Sequence, residues 1–117
     1  MDSKARLFVG DRNNLHVEIF DQDGKFSCDW MQFGRPSGVF IDAKDNLYVS
    51  GVQLSNSSFK QGIRIGTTQD GIVKFLIPGL GPETKPDATE GLTADSKGNV
   101  YGAGSNPHTG ITKYVRN

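Results

Sequence analysis

His16 and His108 are the two histidines of the chain, and a neutral imidazole is a common zinc ligand. A catalytic zinc takes three protein ligands, and Glu90 is the one clear third candidate. That count argues against a metal centre, so the expectation is no cofactor and no metal, with His16 and His108 the candidates if zinc or calcium binds. Beside such an ion, Arg35 or Arg64 would polarise a substrate oxygen. Cys28 is the single cysteine, which excludes a disulfide framework and a thiolate zinc cluster. It sits in the alternating set Phe26, Cys28, Trp30, the pattern of a packed face, where a thiol is inert. There is no Gly-x-Ser-x-Gly elbow and no Gly-rich phosphate loop. The Asp21-Gln22-Asp23-Gly24 and Thr68-Gln69-Asp70-Gly71 turns lack the further ligands of a calcium loop.

The elements that would position these residues are short strands. Apolar residues alternate in about ten runs closed by Gly, Asp and Asn, at 7–11, 15–21, 25–33, 38–42, 46–51, 62–67, 72–78, 91–95, 99–104 and 111–116. Residues 38–51 and 91–104 are near copies, sharing Gly38/Gly91, Asp42/Asp95, Asn46/Asn99, Tyr48/Tyr101 and Gly51/Gly104. A repeat of short strands implies units that cannot bury both faces alone and must stack on neighbours. Asp42 and Asp95 stand where a carboxylate accepts turn N–H groups, and Asp-Gly at 23–24 and 70–71 suits turns needing positive φ. Tyr48 and Tyr101, at matching positions, read as packing residues. The connectors 52–61 and 79–89 are longer than hairpins require, and long loops on a rigid scaffold often carry function.

The 117 residues carry 13 Lys+Arg against 13 Asp+Glu, so no basic footprint for nucleic acid or anionic membrane is present. With 35% hydrophobic residues and 15 glycines, the composition favours turn-rich β structure in one domain over a helical bundle. No apolar run reaches membrane-spanning length, and the start of the chain has no secretory pattern. A cytoplasmic protein without membrane or nucleic-acid partners is expected.

In register, the runs fall into units of up to four strands. The middle unit is complete, the first lacks an opening strand and the last lacks a closing one. Residues 7–25, Gly-Arg-Pro-Ser-Gly at 34–38 and the Asp-x-x-x-Asn-x-Tyr-Val pattern from Asp42 to Val49 resemble the NHL repeat. More narrowly, Gly62-Ile63-Arg64-Ile65-Gly66, Glu90-Gly91 and Lys113-Tyr114 resemble the C-terminal part of bacterial NHL proteins similar to peptidyl-hydroxyglycine lyase. Leu15-His16 departs from the Asn-Arg usual in the repeat. The resemblance implies an all-β fold, a β-propeller fragment of two and a half to three blades at about 5–33, 36–80 and 89–117. The NHL family builds six-bladed propellers, so a ring, which in such folds usually has four to eight blades, would then be completed by association, most simply as a homodimer of two three-blade halves, with a trimer the alternative.

In such a ring one mouth of the central channel would collect Arg35 and Ser37, then Glu90, from two connections between blades. His16, Lys60 and His108 would join them from a second set, with Arg64 beside them, and the lyase relatives bind a metal through channel histidines. The blade starts here read Pro36-Ser37-Gly38 and Thr89-Glu90-Gly91, without those histidine motifs. The expected function is therefore a non-catalytic binding module, its mouth contacting a peptide, a protein or a small molecule. The alternatives are a metal-assisted lyase or hydrolase, and a truncated propeller with no function of its own.

Overall fold

Period-two alternation becomes strand wherever a run can bury one face. In the computed structural model, which describes residues 1–51, 60–79, 89–104 and 110–117, β1 (Leu7–Asp11) buries Phe8 and exposes Leu7 and Val9. β2 (His16–Phe20) fully buries Val17 and Ile19 and turns His16, Glu18 and Phe20 to the other side. With β3 (Phe26–Trp30) they form the first antiparallel sheet. A 3-10 turn, Met31–Phe33, leads to β4 (Pro36–Ile41), β5 (Asn46–Gly51), β6 (Gly62–Thr67) and β7 (Phe75–Pro78), which form the second. β8 (Thr89–Ala94), β9 (Val100–Gly104) and β10 (Ile111–Tyr114) form the third. The fold is all-β. Among the described residues no helix is long and apolar enough to cross a membrane.

The sheets stack through two cores. Phe8, Val17, Ile19 and Phe33 meet Leu47 and Val49 between the first and second sheets. Trp30 stacks on Phe33, with ring centroids 6.1 Å apart, and tilts against Phe8 at 5.6 Å. Tyr48 and Ile63 meet Val100 between the second and third, with Phe40, Ile65, Leu92 and Tyr114 around them. β5 therefore buries both faces, sending Leu47 and Val49 one way and Tyr48 the other. Each fully buried side chain of this size contributes about 1.5–3 kcal/mol. β1 lies beside β4, and β4 beside β8.

The repeated turns are built alike. Asp42 Oδ1 accepts the N–H groups of Lys44 and Asn46, while Oδ2 accepts Asn46 Nδ2 at 2.8 Å and Tyr48 Oη at 3.1 Å. Asp95 does the same for Lys97, Asn99 and Tyr101. The left-handed position is taken by Asp45 (φ 60°) in one turn and by Gly98 (φ 82°) in the other.

Several boundaries differ from the sequence expectation. β4 and β8 begin two residues early, at Pro36 and Thr89, because a bulge in each lets the chain pair with β5 and β9 before the expected start. The run 25–33 divides where Trp30 gives way to the 3-10 turn and Gly34 takes φ 74°. Phe26 is a correction: a register irregularity at Ile19/Phe20 leaves it opposite Phe20 at the sheet's end, 53% exposed, so only Cys28 and Trp30 join the packed face.

Candidate functional site

The two bulges fall on equivalent residues of the repeat. Register shifts lie between Pro36 and Gly38 and between Thr89 and Gly91, so Ser37 and Glu90 are the extra residues. Both were expected in connections; both are within strands, re-aimed by the bulge. The two segments touch. A Cβ on Gly38 would stand 2.8 Å from the Glu90 carbonyl oxygen, so only glycine allows β4 and β8 to approach here.

Arg35 and Arg64 come together at another glycine. A Cβ on Gly51 would meet Arg64 Nη1 at 3.1 Å and the Arg35 carbonyl at 3.3 Å. Arg64 is 6% exposed and donates Nη2 to the Lys60 carbonyl at 2.7 Å; burial lowers its pKa from the ordinary value. It acts as a brace between β6 and the chain entering it, with Lys60 itself exposed. Arg12, from the β1–β2 connection, reaches Glu90 at 3.8 Å. Both side chains are substantially exposed, so this pair contributes about 0–1 kcal/mol. Arg35, Ser37, Lys60, Arg64 and Glu90 thus lie along linked segments. His108 lies outside the described residues.

His16 opens β2, at the other end of the connection that carries Arg12. It is paired with Asp11 in the β1–β2 register, and Glu18, two residues on, shares its face. His16 Nε2 is 3.4 Å from Glu18 Oε1 and 3.8 Å from Asp11 Oδ2, while Nδ1 is 3.4 Å from Asp29 Oδ2. Hydrogen bonds from the Asn14 side chain and backbone hold the Asp11 carboxyl below its usual pKa, so it is ionised at neutral pH. Leu15 precedes His16 at φ 65°, a left-handed conformation that costs a non-glycine residue about 1–2 kcal/mol.

No protein-family model matches the chain, and no curated protein matches it. The chemistry must be read from the side chains. Ser37 Oγ is buried with no hydrogen-bond partner among the described residues, so none of them stands by as a base to activate it as a nucleophile. Arg12 and Glu90 pair across the first and third sheets, and Lys60 is exposed. A groove of about 600 Å³ lies away from them, lined by Tyr48, Ile65, Phe75, Ile77, Val100 and Tyr114. It forms because the four-stranded second sheet overhangs the three-stranded third, which leaves β7 without a strand opposite among the described residues.

Sequence reasoning did not single out Arg12, Asp11, Glu18 or Asp29. A signal for two of them was present. A tight hairpin between the runs 7–11 and 15–21 sets Asp11 against His16, and period two then adds Glu18. Asp29 needed the register of β2 on β3, where it opposes Glu18.

Proposed function

We propose that the chain is part of an NHL-type β-propeller acting as a non-catalytic binding module, and that a second copy covers its open end. One comparison carries this reading. On the second sheet, Ile63 is 1% exposed because the third sheet covers it, whereas Ile111, at the matching register position of the third sheet, is 76% exposed. The third sheet offers outward the positions that its neighbour buries. Around Ile111 stand Tyr101 and Lys113, whose Nζ lies 5.4 Å from the Tyr101 ring centroid. The outer face of the first sheet carries exposed Leu7 and Val9 beside Glu18 and Asp29. Apolar area with a cation on one face and apolar area with carboxylates on the other are complementary. Two such head-to-tail contacts close a ring of two copies, with the surface around Arg35, Ser37, Lys60 and Glu90 left to bind a peptide, a protein or a small molecule.

The test is mass in solution by light scattering across a range of concentrations, on the chain and on Ile111→Asp. A dimer that the substitution converts to monomer, with unchanged circular dichroism, is the expected result. A monodisperse monomer at the highest concentration sinks the association, and the open face then belongs to a different partner.

A further inference from the structure

We propose that Asp11, His16 and Glu18 form a site for a divalent transition metal, zinc in the first instance, with Asp29 orienting the imidazole. The site goes beyond the binding-module reading and needs neither His108 nor the bulge residues Ser37 and Glu90.

The separations carry the proposal. A charge-assisted hydrogen bond from an imidazolium to a carboxylate closes to about 2.7–2.9 Å. His16 Nε2 instead stands 3.4 Å from Glu18 and 3.8 Å from Asp11. Nitrogen and oxygen ligands held about 2.0–2.2 Å from a tetrahedral zinc lie roughly 3.3–3.5 Å from one another, so Glu18 already stands at ligand spacing from Nε2 and Asp11 just beyond it. One oxygen or nitrogen from each residue lies within 4.8 Å of the others.

Nε2 itself supplies an independent observation. It has essentially no solvent-accessible surface and, among the described residues, no hydrogen-bond partner, a condition that a buried polar atom normally avoids. A ligand between Nε2 and the two carboxylates removes it. On the far side of the ring, Nδ1 faces the Asp29 carboxylate at 3.4 Å. On that side a slightly closer approach would let a second carboxylate take one ring N–H, fix the tautomer and turn the lone pair of the other nitrogen to the metal. Asp11 is held in turn by Asn14, which donates Nδ2 to Asp11 Oδ2 at 2.7 Å.

The ligand set selects the ion. One imidazole with two carboxylates suits zinc and its transition-metal neighbours, whereas calcium and magnesium prefer all-oxygen shells. Three protein ligands leave a fourth position for water.

The test titrates zinc alone into the purified, chelator-treated chain by calorimetry, with the imidazole nitrogens followed by NMR. One zinc per chain is expected, with the shift on the His16 ring. His16→Gln should weaken binding at least 100-fold, and Glu18→Gln and Asp29→Asn about 10-fold or more each. His108→Gln and Cys28→Ser should leave it unchanged. Asp29 is exposed, so its substitution reads the site even if His16→Gln does not fold. Absence of saturable binding overturns the site, as does binding that survives both His16→Gln and Asp29→Asn. Loss of binding with His108→Gln or Cys28→Ser alone would place the ion elsewhere and overturn the site equally.

Discussion

Residues 38–51 and 91–104 have nearly the same sequence and the same hairpin, yet live in different surroundings. In the first copy β4 and β5 lie between two other sheets, and Leu47, Tyr48, Val49 and Ser50 are all buried. In the second, Val100 is buried against the second sheet while Gly91 and Thr93 face solvent. The hairpin and its turn are therefore set locally, by Asp, Asn and a left-handed residue. Burial is set by what lies alongside. Where the copies diverge, they follow this rule: Phe40 and Ile65, packed against the third sheet, become Thr93 and Lys113 on the outer face.

The largest expected difference is between the two isoleucines. Ile63→Ala empties a filled position between sheets and should cost about 2–5 kcal/mol, read by denaturant unfolding. Ile111→Ala should cost no more than about 0.5 kcal/mol in a monomer, as exposed substitutions usually do. If the chain associates through the third sheet, the Ile111 effect grows with protein concentration. That growth would make the two copies equivalent.

The glycine pair sharpens the same point with a single methyl group. A Cβ at Gly38 meets the Glu90 carbonyl at 2.8 Å, Leu92 Cδ2 at 2.9 Å and Ser50 Oγ at 3.0 Å, while at Gly91 none of the described residues lies within 4 Å. Gly38→Ala should therefore destabilise by about 1–3 kcal/mol, since the carbonyl cannot move without shifting β8. Gly91→Ala should be neutral or stabilise by a few tenths, about what a less flexible unfolded chain supplies. A cost for Gly91→Ala comparable to that for Gly38→Ala would mean that a neighbour is seated on the third sheet in solution.

Much of this fold was legible because its signals are local. Alternation gave the strands, Asp42 and Asp95 gave the turns, and the repeat gave the grouping into sheets of three, four and three strands. The bulges at Ser37 and Glu90 were not legible, since an extra residue in a ladder leaves no mark in a period-two pattern when glycine follows. Phe26 was misread for a related reason: its face depends on the β2–β3 register, which a one-residue irregularity changes. The bracing role of Arg64 was not legible either, since it depends on Gly51, whose missing side chain makes the room. The carboxylates around His16 come from three strands, and only their pairing reveals that they converge.

The remaining expected effects depend on pH and concern the turns. Burial would raise the pKa of Asp42, but hydrogen bonds from Asn46, Lys44 and Tyr48 outweigh it and leave the carboxyl below its ordinary value. At Asp95 the Asn99 side chain leads the same lowering. A depressed folded-state pKa means stability that is full above the unfolded value, about 3.9, and is lost as pH falls through the lower folded one. Tyr48 works in the opposite sense at the alkaline end. Burial first, and then the Asp42 charge and hydrogen bond, push its phenol up to about 12. Stability should thus hold below the unfolded tyrosine value of about 10 and decline between there and about 12 as the unfolded chain ionises first. A spectrophotometric phenolate titration checks this. Asp42→Asn should bring the Tyr48 midpoint down only part of the way, because burial is the larger cause and survives the substitution; a full return to the ordinary value would mean that the carboxylate, and not the third sheet covering the ring, holds the proton.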